Sequence, residues 1–311
     1  MRTEFEFIDE VRSNFGLGLI GDDCAVLPKD DRTDQVVTAD LLIEGVDFRP
    51  EWTNPEYLGH KALAISLSDI AAMGADAKWG LLSIGIAEDR WKTDFLDKFY
   101  LGWHRLARKF GVELVGGDVS RMESGVVIDS IVGGEVPKGR AILRSGAHPG
   151  DGVFVTGPLG GAAGGLKLLE SGKAGPKGLI NKQLQPTPQI YLAKRLQALD
   201  LVSASIDISD GLSSDLVHLC KASGVGAEID RNSVPMHPDL VTQFPLESCL
   251  EMAFNGGEDF ELLFTANSDS VAASGIPEIV QIGEITDRSG TIFLIDGAFR
   301  TPLTPKGYSH F

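Results

Sequence analysis

Hydrophobic and polar positions recur along this chain with two periods, one helical and one extended. Phe5, Ile8, Val11 and Phe15 predict an amphipathic helix over residues 4–15. The glycine-rich GLGLIGDDCAVL leads into a strand, and QVVTADLLIEGVDF predicts another, with Asp40 interrupting an otherwise apolar run. TNPEYLGHKALAISLSDIAAMGA carries full helix punctuation: Asn54 to cap it, Pro55 in its first turn, Gly74 to stop it. WGLLSIGI predicts a strand, TDFLDKFYLGWHRLARKFG a helix, and VELVGGD and GVVIDSIVGGEVP two further strands. PKGRAILRSGAHPGD has the glycine, proline and basic content of a connector, so the boundary falls near residue 140, between units 1–139 and 140–311. Beyond it come strand, turn and helix in GVFVTGPLGGAAGGLKLLESG, and a helix in PTPQIYLAKRLQAL. SASIDISD predicts a strand and GLSSDLVHLCKASG a helix burying Leu212, Leu216, Leu219 and Cys220. AFNGGEDFELLFTA, VQIGEIT and GTIFLIDG close an α/β chain of mixed strands and helices.

Composition narrows the class. With 43% apolar and 23% charged residues, the chain has the balance of a soluble globular protein. It holds no run of about 18 apolar residues and no signal-peptide layout at its start, so no membrane role is expected. Cys24, Cys220 and Cys249 match no zinc or redox spacing, and a reduced cytoplasm is their expected home. A formal charge of −16 argues against nucleic acid as a partner. It also implies that any phosphate handled here reaches the protein's acids through metal ions. The 37 glycines exceed the usual share of about 7%, and many fall in turns beside acids, where bare backbone lets a ligand approach.

Those acids are the anomaly. SIDISDGLSSD places Asp207 and Asp210 at the end of an apolar run, with Asp215 following inside a helix. Two carboxylates 4 Å apart repel by about 4 kcal/mol at a surface-like dielectric, so either they point apart into water or a cation holds them. The puzzle recurs at Asp22 and Asp23, at Asp40, at Asp69 and at Asp118. Any one of them reads equally as a solvated turn or a cap. Asp69 is hardest to explain that way: it faces the negative end of a helix dipole, at a cost of about 0.3–1 kcal/mol, among Leu67, Ile70 and Ala71. Together the aspartates suggest an oxygen-ligand site for Mg²⁺, although spacing does not establish that they converge. Familiar nucleotide signals are missing. GLGLIG fits a dinucleotide pattern but precedes acids and a strand, and no P-loop occurs. The amides of GPLGGAAGG could face an anion or simply form a tight turn. No zinc-protease or serine-hydrolase motif is present.

Taken in order, GDDCAV, LSDIAAMGA, VGGDVSR, GRAILRSGAHPGD, SIDISDGLSSDL, GGEDFELLFT and KGYSHF resemble one family, the thiamine-monophosphate kinases of the PurM-like ATP-binding superfamily. The resemblance implies an N-terminal α/β domain that dimerises through its sheet and a C-terminal α/β domain that covers the nucleotide. It implies ATP-dependent phosphorylation of thiamine monophosphate with several Mg²⁺ ions. It carries metal binding to Asp23, Thr38, Asp40, Asp69, Asp118, Asp207 and Asp210, and ATP contacts to Gly117, Asp118, Arg144 and Ser209. Acceptor contacts fall on Asp47, Glu258 and Tyr308, in a pocket expected to offer thiamine a carboxylate and an aromatic face. Ala39 stands where relatives commonly carry a hydroxyl, which leaves only its carbonyl for a metal.

Each carried-over residue also has a plainer reading. Arg144 could be a surface charge on the connector, Glu258 a turn acid, and Tyr308 the anchor of a tail. Rival readings are another PurM-like enzyme, such as a selenophosphate synthetase, an aminoimidazole ribonucleotide synthetase or a hydrogenase-maturation dehydratase, and a non-catalytic divalent-ion module. The first and third of these enzymes use terminal cysteines (or selenocysteine), and neither terminus here has one.

Overall fold

The computed structural model describes residues 4–308. The first half comprises α1 (Glu4–Phe15), β1 (Ala25–Pro28), β2 (Thr33–Ile43), α2 (Pro55–Ala72), β3 (Asp76–Ala87), α3 (Glu88–Trp91), α4 (Phe95–Phe110), β4 (Glu113–Met122) and β5 (Val126–Pro137). Its five strands form one sheet in the order β1-β2-β5-β3-β4, antiparallel except for the parallel β3–β4 pair. The second half comprises β6 (Gly152–Val155), α5 (Gly161–Ser171), α6 (Lys177–Leu184), α7 (Ile190–Ala198), β7 (Val202–Asp207), α8 (Leu212–Ser223) and β8 (Gly226–Asp230). It continues through α9 (Pro238–Gln243), α10 (Leu246–Asn255), β9 (Leu262–Ala266), α11 (Ser268–Ser274), β10 (Val280–Thr286), β11 (Ile292–Asp296) and β12 (Phe299–Pro302). Its seven strands run β12-β11-β8-β10-β6-β9-β7.

Helix α2 organises the molecule. The Asn54 side chain accepts the Tyr57 amide at 2.9 Å, Pro55 occupies the first turn, and Gly74 turns the chain out with φ +65°. Nearly its whole circumference is buried, as expected for a helix apolar on all sides. Gly59 and Gly102 let α2 and α4 touch backbone to backbone, since a Cβ on either would overlap a carbonyl of the other helix. The core around α2 takes Leu82, Ile84 and Ile128 from the first sheet and Phe154, Phe260 and Phe264 from the second half. The two halves therefore share apolar packing. A separate core, including Leu212, Leu216, Leu219 and Cys220 of α8 as the pattern predicts, fills the far side of the second sheet.

Two surfaces stay open. The apolar stripe of α1 buries little: Phe15 is 73% exposed, and an Asp9–Lys221 ion pair at 2.8 Å links the helix to α8 (the Phe5 side chain lies outside the described residues). The face of the first sheet turned away from α2 is also open. Leu41 is 53% and Val115 56% exposed, and edge strand β4 is accessible along almost its entire length. Among the described residues no helix is long and apolar enough to cross a membrane.

Candidate active site

The aspartates at three element ends meet. Asp23 lies in the turn before β1, Asp69 in the last turns of α2, and Asp207 at the end of β7. One carboxylate oxygen from each lies within 4.8 Å of the others. Strand alternation turns Thr38 and Asp40 toward α2, where the Thr38 hydroxyl donates to Asp69 Oδ2 and the Ser66 hydroxyl donates to Asp40 Oδ2 at 2.6 Å. Ala39 points to the opposite, exposed face, so the missing hydroxyl belongs to the other side of the sheet.

The electrostatics are those of acids crowded together and buried. Burial, reinforced by neighbouring acids, raises the pKa of Asp23 and raises that of Asp69 well above the carboxylate range. The same causes raise Asp207 to about 8, while burial raises Asp40 to about 6. Asp23 Oδ2 and Asp207 Oδ2 are buried with no hydrogen-bond partner among the described residues. Buried acceptors of this kind are normally satisfied. An all-oxygen set of carboxylates, with a threonine hydroxyl alongside, fits a hard divalent cation such as Mg²⁺.

Arg144 is not a surface charge on the connector. Its guanidinium meets Asp23 Oδ1 at 2.6 Å, and its backbone amide donates to Asp22 Oδ1 at 2.6 Å. Burial works against that charge, but Asp23, Asp207 and Asp69 more than offset it and hold the guanidinium pKa above its ordinary value.

Beyond Asp40 the cluster gives onto a cavity of about 490 Å³. Asp40, Ser209 and Asp210 line it, and so do Asp47, Glu258 and Tyr308, the three residues expected to touch the acceptor. Asp47 also closes the turn after β2, accepting the Ile43 amide at 2.7 Å. The Tyr308 amide donates to the Asp210 carbonyl at 3.1 Å, which ties residue 308 to the wall; the histidine of KGYSHF, His310, lies outside the described residues. Asp215, buried at the start of α8, accepts the Gly211 amide at 2.9 Å and fixes the turn that carries Asp210.

Gly117 and Asp118 stand apart from this cluster, on exposed strand β4. Asp118 accepts the Ser120 hydroxyl at 3.2 Å, and Gly117, at φ +153°, lies so close to β3 that a Cβ would overlap the Leu82 carbonyl.

The GPLGGAAGG turn has an anion, and it is the protein's own. Asp259 accepts the Gly160 amide at 2.5 Å and the Ala162 amide at 3.0 Å, closing the N-terminus of α5. GGEDFEL thus divides its acids. Glu258 faces the cavity, Asp259 caps α5, and Glu261 is buried against Thr156 at 2.8 Å and Lys182 at 2.5 Å.

Sequence reasoning passed over Lys61, which lines the cavity with its Nζ 2.6 Å from Glu258 Oε1. Its signal was present: Lys61 and Asp69 are the only charged residues in LGHKALAISLSDIAA, the buried body of α2. The rule that singled out Asp69 applies equally to Lys61.

Models of the AIR synthase related protein family match the chain twice, the N-terminal domain over residues 21–136 and the C-terminal domain over residues 148–296. With two sheets packed about α2 and an aspartate cluster where they meet, this is a PurM-like protein of the AIR synthase related class. Over 309 residues it is 38% identical to the thiamine-monophosphate kinase of Salmonella typhimurium, covering 94% of this chain and 91% of that protein. The solved structure of AaThiL complexed with AMPPCP and TMP aligns with a TM-score of 0.90 at 34% identity, covering 99% of this chain and 97% of that one. The hydrogenase maturation protein HypE of E. coli aligns at 0.73 and 18% identity over 87% of this chain and 85% of its own, a likeness of fold alone. The chain belongs to the thiamine-monophosphate kinase family.

Proposed function

We propose that this chain transfers the γ-phosphoryl group of ATP to thiamine monophosphate, making thiamine diphosphate and ADP. One observation carries the reading at the level of the site. A cluster of buried carboxylates with unsatisfied oxygens lies beside Asp40, which lines a cavity that gathers Asp47, Glu258 and Tyr308. The acceptor is a phosphate monoester whose second pKa, near about 6, leaves it mostly ionised at neutral pH, so no strong general base is required. What must be overcome is repulsion between two anions and the cost of aligning them.

Asp23, Asp69 and Asp207, with Thr38, Asp40 and Asp210, would hold Mg²⁺, while Asp118 stands apart from them on exposed β4. When bound, Mg²⁺ supplies the positive charge that lets two phosphates approach. Arg144 adds a cation that can meet a phosphate in bidentate fashion, and Ser209 adds a further ATP contact. Asp47, Glu258 and Tyr308 orient the acceptor. Residues 1–139 supply most of the metal ligands, and residues 140–311 cover the nucleotide. The uncovered apolar face of the first sheet supports a homodimer formed through that sheet. Three unpaired, buried cysteines suit a reducing cytoplasm.

The test is ATP consumption with and without thiamine monophosphate in the presence of Mg²⁺, with thiamine and an aminoimidazole precursor as control acceptors. ADP formation that requires thiamine monophosphate is expected. Turnover only with the aminoimidazole precursor, or none with any acceptor, would overturn the reading.

A further inference from the structure

Lys61 is 3% exposed, and nothing in the chemistry above uses it. It precedes Asp69 by eight residues on α2, about 12 Å along the axis at the helical rise. One helix therefore sets a carboxylate at the metal end of the site and an ammonium at the far end of the acceptor cavity. Lys61 Nζ lies 2.6 Å from Glu258 Oε1, and Gln183 of α6 donates its amide to Oε2. Both oxygens of Glu258 are thus held by groups on different elements, and the carboxylate plane is set. The backbone is set too: Glu258 has φ +65°, uncommon outside glycine, and its amide donates to the Ser209 carbonyl at 2.8 Å.

The consequence concerns charge. A lone carboxylate in this cavity would serve as counter-ion to a fixed cation such as a thiazolium. A carboxylate with an ammonium 2.6 Å away is a neutral pair, and a second cation brought up to it meets the repulsion of the first. What Glu258 retains is the unused lone pairs of its oxygens, which accept hydrogen bonds. We infer that Lys61 is a positioning residue for acceptor recognition, holding Glu258 so that its carboxylate accepts an N–H from the acceptor's aminopyrimidine rather than balancing its cationic ring. This rests on the kinase reading and deepens it, because Lys61 acts through Glu258 and not on the phosphates.

Steady-state kinetics on the full chain test it, with thiamine monophosphate and ATP varied separately for wild type, Lys61→Met, Glu258→Gln and the double variant. Lys61→Met should raise the KM for thiamine monophosphate at least tenfold and leave kcat and the KM for ATP within threefold. The double variant should be no worse than the worse single one, because both remove one interaction. An analogue with hydrogen in place of the pyrimidine amino group, which removes that donor, adds a second readout. Wild type should prefer the amino acceptor at least tenfold in kcat/KM, and Lys61→Met by less than threefold. Lys61→Arg, which keeps the charge, should recover most of the loss, and Lys61→Gln stands in if the Met variant does not fold. Multiplying effects in the double variant, an equal rise in the KM for ATP, or intact discrimination in Lys61→Met would each overturn the inference. If wild type makes no ADP with thiamine monophosphate, the kinase reading falls and this inference with it. If wild type turns over and Lys61→Met matches it, the inference alone falls.

Discussion

Asp69 holds a carboxylate against the negative end of its own helix, in a buried site, with Asp23 and Asp207 within 4.8 Å. Without a cation this arrangement is expensive, and pH exposes the cost. The folded-state pKa of Asp207 is raised to about 8 and those of Asp23 and Asp69 are raised as well, through burial and mutual repulsion. Over the window between their ordinary and raised values, the folded protein keeps protons that the unfolded chain has released. Stability therefore falls as pH rises through that window. His218, lowered to about 4 by burial and by Arg144, acts in the opposite sense, but only below its ordinary value of 6.5. Above that pH the slope belongs to the acids, at up to about 1.4 kcal/mol per pH unit for each group still titrating. We expect the melting temperature of EDTA-treated protein to fall from pH 6.5 to 8, and saturating Mg²⁺ to remove most of the fall. A flat or rising metal-free curve would count against the cluster as a cation site. Asp69→Asn should abolish Mg²⁺-dependent turnover while its metal-free melting temperature equals or exceeds that of wild type. Near-normal activity in that variant at limiting Mg²⁺ would remove Asp69 from the ligand set. At this scale the sequence already marked Asp69, because an acid in an apolar helix needs a reason. Its meeting with Asp23 and Asp207 was not legible, since those residues lie 46 and 138 positions away in the chain.

Among the elements, the end of the chain is where function and packing are hardest to separate. The Lys306 amide donates to Ser213 Oγ at 3.2 Å and the Gly307 amide to Ser214 Oγ at 3.0 Å. With the Tyr308 amide on the Asp210 carbonyl, three successive amides are tied to the first turn of α8 and the loop before it. A segment held this way is ordered by specific bonds, not by default. Deleting residues 307–311 should raise the KM for thiamine monophosphate at least fivefold and leave that for ATP within twofold. A truncation that preserves both constants would reduce the tail to packing. Pattern reading recovered the long elements, above all α2, α4 and α8, whose caps and apolar stripes agree with one another. It missed α3, α6, α9, α10, α11, β8 and β12, which are short and gain their order from neighbours. Helix α6 follows GKAGP and is held in place by Leu179, fully buried against Leu168 and Leu240.

For the whole molecule, the open apolar face of the first sheet is the feature a single chain leaves unresolved. Val115 and Val119 are 56% and 44% exposed on edge strand β4, whose register against β3 is irregular at Val115. Sedimentation should find a dimer, and Val115→Asp with Val119→Asp should shift it to monomer with little change in secondary structure. A wild-type monomer at micromolar concentration would remove the sheet-mediated homodimer. The sequence by itself pointed to the class of chemistry: a net charge of −16 with aspartates at element ends argues against capture of phosphate by a basic surface and suggests cations. It also determined the principal helices and strands, because periodicity and capping act within about 20 residues. Only the tertiary structure decided which acids share a site. It brought Asp23, Asp69 and Asp207 together, kept Asp118 on an exposed edge, gave Asp259 to α5, and paired Glu258 with Lys61 across the two halves. Charge and hydrogen bonding act over a few ångströms of space, and the chain crosses those few ångströms only after α2 has packed between the two sheets.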